Sequence, residues 1–171
     1  GARVMSGDNG IARRVLGDAC RVLDARARPR GVGGEGARAS AGRRTGVGCD
    51  QVLVLEAPED SLADAHMRIY NADGGESAAC GNGARCIAAR LMRASGSDRV
   101  TLETAAGLLP AHIGRDGVVA VDMGAPGLGW RDVPLARDVD TLRLDLSAGP
   151  HDGPVAVGMG NPHCVFFVDD A

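Results

Sequence analysis

The sequence predicts an α+β fold, a mainly antiparallel sheet wrapped around one long central helix. Three observations predict it. Only the stretch 84–93 repeats apolar residues at three- and four-residue spacing over several turns, the mark of an amphipathic helix. Short apolar runs punctuated by glycine turns fill the chain after it, as in a sheet of consecutive strands. The residues are 44% hydrophobic but only 2% aromatic, so the core has to be built from Val, Leu, Ile, Ala and Met.

The elements follow in order. Residues 1–23 offer only Val15-Leu16 and Val22-Leu23 as apolar pairs, and 24–36, rich in Gly, Arg and Pro, read as a loop. A short helix is expected across 35–44, stopped by Gly46 and Gly48. Val52-Leu-Val-Leu55 is a compact buried strand, closed by the turn Ala57-Pro-Glu-Asp60. Met67, Ile69 and Tyr70 form the next strand, which runs directly into the segment from Asn71. In the long helix Ala84, Ile87, Ala88, Leu91 and Met92 share a face. Gly81 or Asn82 supplies its N-cap, and Gly96 closes it. Strands are expected at 99–104, 108–113, 117–123, 141–146, 154–159 and 163–168, with Asp116-Gly117 as a two-residue hairpin turn.

Composition excludes several function classes. A net charge of −3 leaves no electrostatic footprint for nucleic acid, and Arg13-Arg14 and Arg43-Arg44 read as solvated surface. No apolar run reaches the length of a membrane span and no signal-peptide pattern opens the chain, so the cytoplasm is the expected location. All 19 basic residues are arginine. Without a lysine the chain can complete neither a pyridoxal-phosphate Schiff base nor a Walker-type phosphate loop. Five cysteines at irregular spacing (Cys20, Cys49, Cys80, Cys86, Cys164), with no Cys-x-x-Cys pair, argue against a disulfide framework and against structural zinc. The start at Gly1 and the end just after an apolar strand read as a chain cut from a longer one.

The residues that carry chemistry concentrate between Asn71 and Cys86. Cys80 stands against Gly81-Asn82-Gly83 where the helical pattern begins. Unpaired backbone N–H groups there favour a thiolate and can also hold a carboxylate. A base and an anion anchor within a few residues of each other suit proton removal next to a carboxylate. The competing reading is the one that fits most cysteines, a small buried hydrophobe. Cys86 lies six residues on, about 240° around the helix, and is expected in the core. A second segment, Gly158-Met-Gly-Asn161-Pro-His163-Cys164, holds Asn161 extended before proline so that its amide can point outward. His163 there can tune the charge of a neighbouring thiol, or can be an ordinary surface histidine in a turn. Cys164, on the opposite strand face, is expected to pack. In a third, Gly46-Val-Gly-Cys49-Asp50-Gln51, Gln51 can reach a ligand while Cys49 reads as structural.

Taken together, Arg44-Thr-Gly-Val-Gly-Cys-Asp-Gln51, the Asn71–Cys86 segment and Met159-Gly-Asn-Pro-His-Cys-Val165 resemble diaminopimelate epimerase. The motifs stand in the family's order, over residues from about 35 to 171, and correspond to its N-terminal half. On this resemblance 1–171 is one epimerase-like N-terminal domain, with 1–34 a poorly matching leader and the C-terminal domain missing. The resemblance implies a cofactor-independent interconversion of LL- and meso-diaminopimelate in lysine and peptidoglycan precursor synthesis. Two cysteines work from opposite faces of the substrate, one removing the α-proton while the other donates. Cys80 falls on the first of them. Gln51, Asn71, Gly81, Asn82 and Asn161 fall on substrate-binding positions, and His163 on a position that modulates the thiols. The family's opening Gly-Leu-Gly-Asn-Asp-Phe stands here as Val15-Leu-Gly-Asp-Ala-Cys20, which puts Asp18 where a substrate-binding asparagine is expected. An acid there faces a substrate carboxylate. Proline and hydroxyproline racemases share the paired-cysteine chemistry, but the Asn82-Gly83 that follows Cys80-Gly81 fits the epimerase pattern better. The reading of a different class is a degenerate remnant that keeps the fold as a binding or interaction domain. Without the second half an apolar face is expected to be exposed, which favours association, for instance as a homodimer.

Overall fold

The computed structural model describes residues 10–15, 18–27, 32–44 and 46–169. The expectation for the Asp18 side chain falls outside what is described; its backbone opens a strand. The chain divides into two compact units, one ending at Asp122 and one beginning at Met123.

The first unit is mixed α+β. Its strands are β1 (Gly10–Val15), β2 (Asp18–Asp24), β3 (Gln51–Glu56), β4 (Ala65–Asn71), β5 (Glu76–Ser77), β6 (Arg99–Thr104), β7 (Gly107–Ile113) and β8 (Val119–Val121). They form one sheet in the order β1-β2-β3-β4-β6-β7-β8, with β5 paired to β4. The pairing is antiparallel except at β2–β3 and β4–β6. Parallel neighbours need a crossover, and each of these two is made through a helix: α1 (Gly34–Ala41) and α2 (Gly81–Ser95). The strand pair β1–β2, which no alternation in the sequence announces, edges the sheet.

Helix α2 buries Gly83, Ala84, Ile87, Ala88, Leu91 and Met92, the predicted stripe plus one glycine. It contacts β6, β7 and β8 and also reaches β1, so the sheet curls around it. Cys86, expected in the core, is only half-buried, because the buried stripe runs along the other side of the helix. Strand β3 shows why Val52-Leu-Val-Leu55 carries no polar alternation. Leu53 lies against Gly83 of α2, while Val52 and Val54 belong to a cluster with Ala37, Ala41 and Tyr70 beneath α1. Both faces are covered, so both must be apolar.

Several boundaries differ from the sequence pattern. α1 ends at Ala41, before the two glycines expected to stop it, with Gly42 donating to Arg38 O. The β7–β8 hairpin is longer than a two-residue turn: Gly114 pairs with Val118, Gly117 N donates to Gly114 O, and Gly117 takes φ +76°. That geometry is a type I turn followed by a left-handed glycine.

The second unit contains two short ribbons, β9 (Ser147–Ala148) with β10 (His151–Asp152) and β11 (Val155–Gly158) with β12 (Pro162–Val165). Its core is Val133, Leu144 and Ala156. The strand expected at 141–146 is not formed. Thr141 and Leu144 are held instead by single bonds to Ala156 and Pro154, without a ladder. Cys164, expected to pack, is exposed, since the β11–β12 ribbon leaves all of β12 uncovered among the described residues.

Candidate active site

Cys80 is itself the N-cap of α2, a place the sequence assigned to Gly81 or Asn82. Its backbone is extended (φ −151°, ψ 98°), its carbonyl accepts the first helical bond from Ala84 over 2.8 Å, and its sulfur accepts from Gly83 N–H over 3.2 Å. Asparagine and serine are the usual residues at such a cap, and a thiol is a weak substitute for either. Gly83 matters for its size: a Cβ there would stand 3.1 Å from both methyl carbons of Leu53 and 3.2 Å from the sulfur. Nothing in the motif marked Gly83 as the donor to Cys80; its position three residues past the cap would have.

Two amides line up with this sulfur. Gln51 opens β3 and Asn71 closes β4, and the antiparallel register puts them directly opposite one another. The Cys80 thiol donates to Gln51 Oε1 over 2.9 Å, and Gln51 Nε2 donates to Asn71 Oδ1 over 3.3 Å. All three residues are half-buried. Gly81 and Asn82 begin the first turn of α2, where backbone N–H groups lack helical partners. Asn82 Oδ1 accepts from Arg85 Nη2 over 2.6 Å, a partner one turn along the helix that the sequence reading missed.

The elements carrying the amides are braced. Asp50 accepts from Ala19 N–H through one oxygen, over 2.9 Å, and from Arg43 through the other, over 2.7 Å. This fixes the approach to Gln51. After Asn71 the chain turns tightly, with Asn71 N donating to Gly75 O and Gly74 N to Asn71 O. Gly74 adopts φ +85°, and its backbone packs so closely on Gly34 of α1 that neither position has room for a Cβ. Arg38 of α1 donates to Asp73 O over 2.7 Å. Beyond the turn, Glu76 pairs with Arg68 of β4 through two bonds, and that guanidinium holds the carboxyl below the usual carboxylate range. By contrast, Cys49 is buried, and burial pushes its thiol up.

Asn161 and His163 belong to the second unit. Both are exposed, in the turn between β11 and β12 and at the start of β12. The Asn161 carbonyl accepts from Met159 N–H and lies 3.0 Å from His163 Nδ1. Of the residues singled out in the sequence, the structure brings together Gln51, Asn71 and Cys80 as one hydrogen-bonded set, with Gly81 and Asn82 continuing from the sulfur.

A sequence model of the diaminopimelate epimerase family matches residues 20–128, which include all five of these residues. A curated diaminopimelate epimerase from Acidiphilium cryptum is 55% identical over 87% of this chain and 53% of its own length. Another, from Rhodospirillum centenum, is 53% identical over 91% of this chain and 54% of its own. The chain therefore spans about half the length of the curated relatives it matches. Among solved structures, a hydroxyproline epimerase from Agrobacterium vitis is similar with a TM-score of 0.65 and 19% identity, covering 92% of this chain and 50% of that one. Such a likeness is one of fold. The sequence matches go further: this chain belongs to the diaminopimelate epimerase family.

Proposed function

We propose that this chain supplies one of the two thiols of a cofactor-independent epimerase that interconverts LL- and meso-diaminopimelate. Cys80 takes or gives the α-proton on one face of the substrate. The observation that carries this reading is the placement of Cys80 at the N-cap of α2, its thiol bonded to Gln51 and its sulfur set at the start of the helix. The α-proton of an amino acid is very weakly acidic. Its removal calls for an oriented thiolate, donors on the adjacent carboxylate and exclusion of water. The start of α2 offers donors for the carboxylate beside the sulfur. On this reading Gln51, Asn71, Gly81, Asn82 and Asn161 bind substrate and His163 modulates the thiols. The second cysteine acts from the opposite face and comes from the half of the relatives that this chain does not span.

Joining the chain to the second half of a curated relative tests the reading. The chimera should exchange the α-proton of diaminopimelate in deuterated water and form meso from LL isomer. Cys80→Ala in the chimera should lower the exchange by about 10²–10⁴-fold, the worth of a positioned acid/base group. The unjoined chain should give no exchange. Exchange by the unjoined chain at a rate near that of the chimera, or indifference of the chimera to Cys80→Ala, would overturn the proposal.

A further inference from the structure

The Cys80 sulfur ends a run of hydrogen bonds in which the direction of each bond depends on the next. Gly83 N–H donates to Sγ, the thiol donates to Gln51 Oε1, and Gln51 Nε2 donates to Asn71 Oδ1. A carbonyl oxygen beside sulfur suits S–H and opposes S⁻. A half turn of the Gln51 amide about its last bond would bring Nε2 to the sulfur as a donor to the thiolate. The same half turn sets Oε1 against Asn71 Oδ1, two acceptors facing each other. Asn71 relieves that clash only by turning as well and presenting Nδ2. The cross-strand register that opposes Gln51 and Asn71 makes the two amides neighbours throughout.

We propose that Asn71 is a positioning residue for Cys80, acting through Gln51, with the two amides turning together as the sulfur changes between thiol and thiolate. This use is distinct from direct contact with substrate, and it rests on the reading of Cys80 as an acid/base group. In one state the bonds run S–H to Oε1 and Nε2–H to Oδ1. In the other the S–H bond is broken, the proton has passed to the substrate carbon, and the bonds run Nε2–H to S⁻ and Nδ2–H to Oε1. The carbon that receives this proton gives up its original α-proton, on the opposite face, to the second thiolate, so one C–H bond breaks as the other forms.

The atoms bonded to sulfur are neutral. The ionisable groups on and beside the elements that carry them are Asp50 and Glu56 at the ends of β3, Cys20, Arg21 and Asp24 on the neighbouring β2, His66, Arg68, Tyr70 and Glu76 on β4 and β5, and Arg85, Cys86, Arg90 and Arg93 on α2. Asp50 is engaged by Arg43, Glu76 by Arg68, and Arg85 by Asn82. The amide pair is therefore the direct route by which the sheet acts on the sulfur's proton.

Asn71→Asp tests this. Its carboxylate only accepts, so it holds Gln51 with Nε2 toward residue 71 and Oε1 toward sulfur, which favours the thiol. The pH midpoint for alkylation of Cys80 by iodoacetamide, read by mass spectrometry on the intact chain, should rise by about one unit, a roughly tenfold slower reaction near pH 7. A carboxylate also acts through space, so the same substitution is made in a Gln51→Met chain, where no amide connects the two. Most of the rise should vanish there; equal rises in the two backgrounds, or no rise in either, overturn the proposal. A second measurement needs no substitution at residue 71. In the unaltered chain, the ¹⁵N side-chain amide signals of both Gln51 and Asn71 should move with the midpoint of Cys80 alkylation and stop doing so in Cys80→Ser. An Asn71 signal that stays fixed through the Cys80 titration overturns it as well. Neither readout involves diaminopimelate, so failure here and failure of the epimerase reading are told apart.

Discussion

The five cysteines differ by what surrounds each sulfur, and this makes their reactivity a residue-scale test. Cys20 and Cys49 are closed off at 0% and 2% exposure, and burial further disfavours the Cys49 thiolate. Cys80 and Cys86 are half-buried and Cys164 is exposed. Iodoacetamide near neutral pH should therefore modify Cys164 and Cys80 first, and Cys20 and Cys49 only on unfolding. Changing the charge of the reagent separates the first two. The N-terminus of α2 attracts an anion, and the ribbon carrying Cys164 has no such feature. The ratio of iodoacetate to iodoacetamide rates, followed by peptide mapping, should be severalfold higher at Cys80 than at Cys164. Equal ratios would remove the anion anchor from the argument. Glycine, asparagine and a helical period made the location of Cys80 legible in the sequence. That the cysteine itself caps the helix was not legible, because thiols rarely do so and the cap depends on how closely Gly83 approaches. The exposure of Cys164 could not be read either, since strand alternation says which residues share a face and not whether anything covers it.

At the scale of elements, α1, β8, β11 and β12 were legible with shifted ends, and β3, β4, α2, β6 and β7 more closely, because their burial is one-sided or total over a continuous run. Strands β1 and β2 were not, because Arg13-Arg14 in the one and Arg21 in the other break any alternation and the pairing is set by distant parts of the chain. One of these obscure strands is tied to the well-marked helix by charge. Asp24, ending β2, takes two bonds from the Arg26 guanidinium and a third from its backbone N–H, and lies 3.5 Å from Arg90 of α2. The Arg26 hydrogen bonds, ahead of the opposing effect of burial, hold its carboxyl below the usual range. A depressed carboxylate contributes stability that is complete above its ordinary value and is lost as pH falls through the lowered one. Asp24→Asn should thus cost roughly 1 kcal/mol at pH 7, in keeping with a partly buried pair. In urea denaturation the difference from the unaltered chain should begin to close as the pH falls below the ordinary carboxylate range and go on closing as it passes through the lowered one. A difference that stays constant across that range would show that the loss is one of packing and not of charge.

At the scale of the whole chain, the two units differ in what holds them together. Among the described residues, all the buried apolar side chains except Val133, Leu144, Pro154 and Ala156 precede Asp122, where a curled sheet packs on a fifteen-residue helix. The later unit, of about fifty residues, has only those four, of which Val133, Leu144 and Ala156 cluster with Leu135 and Val139 partly buried against them. At that size a core is marginal even when well filled. The sequence hid this division, because the segments after 123 show the same short apolar runs and glycine turns as those before it. What they lack is a helix to pack on, and a strand pattern without a second layer buries little. Residues 10–122 produced alone should unfold in a single cooperative thermal transition by circular dichroism. Residues 123–171 alone should show no such transition, and their amide proton signals should stay within the narrow range of an unfolded chain. A cooperative transition in the later piece would mean that its turns and ribbons, and not apolar burial, stabilise it. Loss of the transition in the earlier piece would mean that the sheet around α2 depends on residues beyond Asp122. The sulfur, both amides and the Gly83 donor all lie before that point, so the folding of the earlier unit alone decides whether this hydrogen-bonded set can be assembled independently.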